Sequence, residues 1–132
     1  MTKIESKKRS IKQTKETIFN FLSNFNNFEG LMPEKVTNWT SDEESCYFSI
    51  SGIASLGMRI IETSAHSRIK MVDDGKVPFK FFFTVNLEGD KEQTIVQLVF
   101  DAELNAMLKM VAVKPLNDFL ESLLDHLENH KF

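Results

Sequence analysis

Several features that would point directly to a function are missing from this chain of 132 residues. It has a single cysteine, so an internal disulfide is excluded. Its net charge of −3 argues against a nucleic-acid binder, which needs clustered lysine and arginine to neutralise phosphates. The densest basic run, Lys7-Lys8-Arg9, is typical of the solvated edge of a strand. Residues 1–6 are charged and lead into no signal-like apolar segment, and no apolar stretch is long enough to span a bilayer. We therefore expect a cytoplasmic protein without membrane insertion.

Catalytic and metal-binding patterns are also scarce. Cys46 falls in an alternating strand pattern, which predicts a buried and inert thiol. His126 and His130 are four residues apart on a predicted helix, but no third ligand is evident, so solvent-exposed histidines are favoured over a zinc site. Arg59 and Glu62 are the ionisable groups nearest the apolar strands and the only candidates for acid–base work. We predict no metal, no cofactor and no assigned catalytic residue; an enzyme stays open but disfavoured.

The aromatic content consists almost entirely of phenylalanine, with twelve Phe against one Tyr and one Trp. Phenylalanine adds apolar area without a polar group to satisfy, which fits a dry interior, either packed or hollow. Residues 3–11 are predicted to form an edge strand protected by lysines. The spacing of Ile18, Leu22 and Phe25 predicts a short helix over 15–23 with Thr14 as its N-cap. A second helical turn is predicted before Pro33.

From residue 35 to residue 103 the apolar period is two, which predicts an antiparallel meander of strands. Asp73-Asp74-Gly75 predicts a hairpin turn. The sharpest alternation follows it, with five consecutive inward positions at Phe79, Phe81, Phe83, Val85 and Leu87.

The helical period returns over 105–129, where a wide apolar stripe predicts one long C-terminal helix. Asn105 is its expected N-cap, and Pro115 is expected to kink or break it. A sheet with one apolar face must be covered, and this helix is the only element long and apolar enough. The order of elements therefore predicts an α+β fold in one domain, 1–132, with a curved antiparallel β-sheet around the C-terminal helix and two short helices after the first strand.

The segments Phe19-Asn20-Phe21-Leu22-Ser23-Asn24-Phe25-Asn26-Asn27-Phe28 and Leu108-Lys109-Met110-Val111-Ala112-Val113-Lys114-Pro115-Leu116, with this order of elements, resemble small bacterial members of the START-like (SRPBCC, helix-grip) superfamily. The resemblance covers nearly the whole chain, and its motifs are structural. It implies a cavity between sheet and helix that accepts lipids, sterols, flavonoids or polyketides. The superfamily has no universal catalytic residue, so none is carried over.

Our leading hypothesis is binding or transport of a hydrophobic small molecule, because the inward positions are rich in Phe and Met and poor in polar groups. We expect Met107 and Met110 to mark the cavity mouth, where a helix kinked at Pro115 would leave space. The predicted ligand-binding residues are Phe48, Ile50, Met58, Ile60, Phe79, Phe81, Phe83, Leu98, Phe100, Met107, Met110 and Val111.

Two alternatives stay open. One is a cyclase- or dehydratase-type enzyme that uses Glu62 or Arg59 in the same cavity. The other is a protein-interaction module with a filled core, which an exposed patch around Phe82 and Val99 would favour. The sequence does not decide between a monomer and a homodimer, and it does not identify the ligand, because apolar surfaces discriminate weakly.

Overall fold

The computed structural model describes residues 1–51, 54–90 and 92–132. An eight-stranded antiparallel sheet curves around a long C-terminal helix, as the sequence predicts. The strands are β1 (Thr2–Glu5), β2 (Arg9–Ile11), β3 (Val36–Ser41), β4 (Ser45–Ile50), β5 (Ala54–Ser64), β6 (Arg68–Asp73), β7 (Phe81–Gly89) and β8 (Thr94–Ala102). The helices are α1 (Lys15–Leu22) and α2 (Ala106–Asn129), with short 3-10 turns at Phe25–Asn27 and Glu29–Leu31.

The sheet runs in the order β1-β8-β7-β6-β5-β4-β3, and β2 also pairs with β8. Its centre is the long β7–β8 pair, in which Phe83 lies opposite Phe100 and Val85 opposite Leu98. The predicted inward positions of β7 and of the residues before it are all buried, which confirms the alternation. Alternate residues of a strand face opposite sides, so the polar residues between them lie on the outer face.

The predicted edge strand 3–11 is two strands, because pairing with β8 is interrupted at Ser6. The backbone N–H of Ser6 donates to the carbonyl of Leu98 at 2.9 Å, and the Leu98 N–H donates to the Ser6 hydroxyl at 2.9 Å. A side-chain oxygen here replaces a backbone acceptor, which keeps the buried amide satisfied.

Both predicted helix N-caps are confirmed. The Thr14 hydroxyl accepts from the backbone N–H of Thr17 at 3.1 Å, and the Asn105 side chain accepts from Leu108 N–H at 2.8 Å. Pro115 was expected to kink or break the helix, and α2 continues through it without a break. Seven buried side chains, from Ala112 to Leu127, anchor α2 to the sheet, and this packing outweighs the one hydrogen bond that proline removes.

The connection from β6 to β7 is longer than the tight hairpin that Asp73-Asp74-Gly75 predicts, because β7 begins only at Phe81. Gly75 adopts the expected left-handed backbone, with φ 86°. The Asp73 carboxylate accepts from the backbone N–H groups of Gly75 at 2.9 Å and of Phe81 at 3.0 Å. One side chain therefore holds both ends of the loop.

Candidate functional site

A cleft of about 410 Å³ lies where α2 meets the β3–β4 edge of the sheet. Its position is the junction between helix and sheet, where the curvature leaves α2 uncovered on one flank. The cleft is lined by Pro33, Glu34, Lys35, Val36, Ile50, Pro115, Asp118, Phe119, Ser122 and His126. Of the predicted ligand-binding residues, Ile50 is the one that borders this cleft directly.

A bulge in β3 adjoins one wall of the cleft. Val36 and Trp39 are the half-buried residues of this strand, and they are three positions apart rather than two. Asn38 between them has φ 57°, a left-handed conformation that asparagine tolerates better than most residues. The register with β4 shifts between Thr37 and Thr40. Such a bulge inserts an extra residue and re-aims side chains, so Val36 and Trp39 reach the same face.

Three stacked aromatic rings connect the cleft to the interior, and of these Phe119 lines the cleft. Phe119 of α2 stacks on Phe48 of β4 with ring centroids 6.0 Å apart and 14° between the ring planes. Trp39 stacks on Phe48 at 5.2 Å and 25°. The Trp39 indole N–H donates to the Ser41 hydroxyl at 3.1 Å, so its polar atom is satisfied. The stack therefore joins α2 to β3 and β4 through apolar contacts.

Polar groups of the cleft lie at its rim. Glu34 and Lys35 are exposed, and Asp118 accepts a hydrogen bond from the Lys114 ammonium at 2.9 Å. His126 Nδ1 lies 2.7 Å from the carbonyl oxygen of Leu31. Since a carbonyl only accepts, this contact assigns the proton to Nδ1. The His126 contact closes one end of the cleft by joining α2 to the 3-10 turn Glu29–Leu31.

Pro115 gives the opposite end of the cleft an additional polar feature. Proline has no N–H, so the carbonyl of Val111 loses its usual helical donor. Val111 is 53% exposed and lies one turn before Pro115 on the same flank of α2. Pro115 lines the cleft, and the Val111 carbonyl lacks the donor that another residue would supply there.

The other predicted ligand-binding residues fall into two groups. Those of the strands lie in the packed interior: Phe48, Met58, Phe79, Phe81, Phe83, Leu98 and Phe100 are buried, and Ile60 is half-buried next to a bulge in β5. The rings of Phe81 and Phe100 stack with centroids 4.7 Å apart, and those of Phe83 and Phe100 lie 6.0 Å apart. Side chains thus occupy the space between these strands.

Met107 and Met110, expected at the cavity mouth, and Val111, expected among the ligand-binding residues, lie on the surface and are not among the residues that line the cleft. Their exposed fractions are 72%, 87% and 53%. At about 100° of rotation per residue, Met107 and Met110 point away from the core side of α2. In the same turns Leu108 is half-buried and packs against the core.

The residues considered for catalysis do not meet in the cleft. Arg59 and Glu62 are both exposed, on the outer part of β5, so the cyclase alternative loses the groups on which it relied. The Cys46 thiol is buried, and its desolvation raises the pKa well above the usual value, as expected for an unreactive thiol. In the residues that the structure describes, no three His, Cys, Asp or Glu side chains are grouped to hold a metal ion.

The outer face of the sheet does not carry the apolar patch that the interaction-module alternative would use. Val99 is 8% exposed, and Phe82 is half-buried. The Lys70 ammonium lies 4.7 Å from the centroid of the Phe82 ring, a cation–π contact that covers it.

His126 and His130 are exposed, as expected, and both also have partners within the protein. His126 binds the Leu31 carbonyl, and the His130 ring packs against Phe21 and Phe132 at 4.6 and 4.7 Å between centroids. The sequence alone does not show that His126 lies at the rim of the cleft, because the residue that it contacts, Leu31, is 95 residues away in the chain. Sequence reasoning also missed the bulge that follows Val36 in β3, whose only local signal is an asparagine within a strand.

Comparison with known proteins supports the fold. No family profile matches the sequence, and no curated protein matches it significantly. Solved structures do match. A START superfamily protein from Mycobacterium smegmatis is 16% identical with a TM-score of 0.75, and the alignment covers 96% of this chain and 94% of that one. A Thermus thermophilus protein is 15% identical with a TM-score of 0.76, over 97% and 95% of the two chains.

The Aha1 dimer from Colwellia psychrerythraea is 19% identical with a TM-score of 0.67, and both chains are covered completely. At these identities the likeness shows the fold and not the activity. The chain therefore has the START-like, helix-grip fold that the sequence resemblance implies. Within the described residues, no helix combines the length and apolar character needed to cross a bilayer.

Proposed function

We propose that the protein binds a hydrophobic small molecule of the lipid, sterol or polyketide-like class, with its apolar part in the cleft between α2 and the β3–β4 edge. The observation that carries this proposal is the composition of the cleft, whose walls are Val36, Ile50 and Phe119 and whose charges lie at the rim. Natural small-molecule sites are concave and mainly apolar, with volumes of roughly 300–1,000 Å³. A cleft of about 410 Å³ falls within that range.

Phe119 forms the boundary between the cleft and the predicted inner pocket. Its ring is 4% exposed and lies on Phe48, one of the predicted ligand-binding residues. A ligand longer than the cleft would have to rotate this ring away from Phe48 before reaching the strands below. We therefore propose that Ile50 and Phe119 make the first contacts and that Phe48 is reached only by movement of Phe119.

The interaction-module alternative is supported by the filled interior around Phe100. The outer-face patch that this alternative needs includes Phe82, and the Lys70 ammonium covers that ring. We therefore favour the small-molecule proposal. The Colwellia neighbour is a dimer; for this chain, monomer and homodimer are to be distinguished by light scattering on a sizing column. We propose a cytoplasmic location, which cell fractionation tests.

The direct test is native mass spectrometry of freshly purified protein, followed by titration of delipidated protein with a solvatochromic dye and with fatty acids and sterols. We expect an added mass or saturable dye binding with a micromolar dissociation constant. Delipidated protein that takes up none of these probes, together with an unliganded native mass, would contradict the proposal.

A matched pair of serine variants locates the binding. Ser122 lies half-buried in the cleft lining, so Ser122→Trp places an indole in the proposed site. Ser64 is exposed at the end of β5, so Ser64→Trp adds the same side chain away from the cleft. We expect Ser122→Trp to weaken dye binding at least tenfold, about 1.4 kcal/mol, and Ser64→Trp to leave it unchanged. Equal binding by both variants would place the ligand elsewhere.

A further inference from the structure

Helix α2 presents a row of polar side chains to the cleft. Asp118, Ser122 and His126 follow one another at intervals of four residues, and all three line the cleft. Residues four apart lie on one side of a helix, with about 5–6 Å between their Cβ atoms. The row runs beside the ring of Phe119, which supplies apolar wall to the same cleft. A few polar groups placed in an apolar site fix the orientation of a ligand, so this row is a candidate for binding the polar end of one.

The Ser122 hydroxyl has hydrogen-bonding capacity that the fold does not use. A serine in a helix commonly bonds a carbonyl one turn earlier, as the Ser23 hydroxyl does with the carbonyl of Phe19 at 2.6 Å. Within the part of the chain that the structure describes, the Ser122 hydroxyl makes no such bond, and the residue is half-buried in the cleft lining. A hydroxyl in this position can both donate to a ligand and accept from one.

His126 adds a hydrogen-bond acceptor to the row. Its Nδ1 donates to the Leu31 carbonyl at 2.7 Å, which leaves Nε2 as the other ring nitrogen. In a neutral imidazole one nitrogen donates and the other accepts, so Nε2 is the acceptor. The contact with Leu31 also holds the ring in place, because it joins α2 to the 3-10 turn Glu29–Leu31. A ligand that uses Nε2 must therefore bring a proton to it.

The charged side chains of the cleft make a carboxylate ligand a poor fit. Glu34 and Asp118 are acidic, and Lys35 is the single base among the lining residues that the structure describes. Asp118 also accepts from the Lys114 ammonium at 2.9 Å. A ligand carboxylate would accept from Lys35, but it would be repelled by Glu34 and would bring no proton to Nε2 of His126. The lining therefore favours a neutral polar end that carries its own proton.

We propose that Ser122 and His126 together bind a hydroxyl group of the ligand, so that the cleft selects apolar alcohols, such as sterols or phenolic polyketides, over fatty acids. The ligand hydroxyl donates to Nε2 of His126 and accepts from the Ser122 hydroxyl. One oxygen atom about 2.8 Å from each partner spans side chains whose Cβ atoms are about 5–6 Å apart. The apolar body of the ligand lies on Phe119. This inference rests on the proposed function, because it names the polar end of the molecule that the cleft binds.

A ligand ammonium group would also bring a proton to Nε2, but it fits the cleft less well. An ammonium only donates, so the Ser122 hydroxyl could act towards it only as an acceptor. It would also meet the charge of Lys35, which lines the same cleft. A hydroxyl both donates and accepts, and it is therefore the smallest group that satisfies the two side chains together.

The first test compares four ligands with the same apolar chain: decan-1-ol, its methyl ether, decanoate and decylamine. Each displaces a solvatochromic dye from the wild-type protein in slightly alkaline buffer, in which imidazoles are neutral. The ether keeps an acceptor oxygen but has no proton to donate. We expect the alcohol to bind about tenfold more tightly than the ether, as two hydrogen bonds would give, and more tightly than decanoate or decylamine. Equal binding of alcohol and ether, or tighter binding of decanoate or decylamine, overturns the proposal.

Matched variants assign this preference to the two side chains. His126→Asn keeps a donor for the Leu31 carbonyl but has no acceptor at the position of Nε2. Ser122→Ala and His126→Asn should each lower the preference for alcohol over ether to about threefold, whereas Ser122→Thr should retain it. Ser64→Ala and His66→Asn are exposed controls that should also retain it, and asparagine tolerates the left-handed backbone of His66, with φ 63°. Urea unfolding checks that the variants are folded, and an unchanged preference in both Ser122→Ala and His126→Asn overturns the proposal.

Nuclear magnetic resonance of the imidazole nitrogens gives a readout that a structural role of His126 would not change. In a long-range proton–nitrogen correlation spectrum, saturating decan-1-ol should move the Nε2 resonance of His126 upfield, and the saturating ether should leave it in place. The ring signals of His66 should not respond to either ligand. An Nε2 resonance that ignores the bound alcohol overturns the proposal and leaves the proposed function standing. If neither the dye nor any of the four ligands binds the wild type, the proposed function fails and this proposal fails with it.

Discussion

Phe119 and Phe83 are both buried phenylalanines, but the structure predicts different consequences for their removal. Phe83 is fully buried between strands, so Phe83→Ala should leave an internal cavity and cost about 3–5 kcal/mol. Phe119 is also nearly buried, at 4% exposed, but one side of its ring faces an existing cleft. In Phe119→Ala the space opens to water and joins the cleft, so the loss should be nearer to the transfer free energy alone, about 1.5–3 kcal/mol.

The same pair of variants separates stability from binding. Phe119→Ala should enlarge the cleft and expose Phe48, so the affinity for bulky apolar dyes is expected to rise despite the lower stability. Phe83→Ala should leave dye affinity unchanged. Urea unfolding with a constant m-value gives the free energies, and dye titration of the folded variants gives the affinities. The reasoning is refuted if Phe119→Ala costs as much as Phe83→Ala, or if it weakens dye binding.

Three further predictions follow from single contacts. Arg9→Ala should lower the free energy of unfolding by about 1 kcal/mol in low salt and by less in high salt, because it removes the ion pairs with Asp125 and Glu128. Lys8→Ala, the control, should have no effect. Urea unfolding curves at two salt concentrations check this. Burial raises the pKa of the Cys46 thiol. The contribution of this thiol to the free energy of unfolding is therefore fully present below the unfolded pKa of about 8.5 and is lost progressively at higher pH. A disulfide reagent at pH 8 should therefore label Cys46 slowly in buffer and rapidly in urea, and fast native labelling would contradict its burial. Backbone N–H groups of Ser45 and Glu44 lower the pKa of Asp42, and those of Glu92 and Gln93 lower the pKa of Asp90. The stabilisation of these turns is present above about pH 4 and is lost as the pH falls through the lowered pKa values, so carboxyl carbon titrations should have midpoints below about 3.9.

The fold was predictable from the sequence because its main elements carry strong periodic signals. The alternation of β7 extends over Phe79 to Leu87 without a break, and every inward residue is buried. The apolar stripe of α2 is longer still, and Asn105 caps it as predicted. In both cases a local pattern is reinforced by the need to bury the same face, so local and tertiary preferences agree.

The departures occur where a single side chain changes the backbone pattern. Ser6 interrupts pairing with β8 by accepting a hydrogen bond from Leu98, and Asn38 adopts a left-handed conformation that produces the bulge in β3. Neither residue has a distinctive sequence signal, because serine and asparagine are common in loops and on strand surfaces. The second departure adjoins the cleft, since Val36 lies just before the register shift and lines the cleft.

The exposed positions of Met107 and Met110 have another cause. The apolar stripe of α2 combines residues from more than one side of the helix, and a period of 3.6 residues assigns only some of them to the buried face. Counting about 100° per residue from Ala112 and Leu116 puts Met107 and Met110 on the opposite side of α2. Leu108, between them in the sequence, packs against the core. The direction of each residue around the helix axis, and not the length of the stripe, therefore decides which of the first apolar residues are buried.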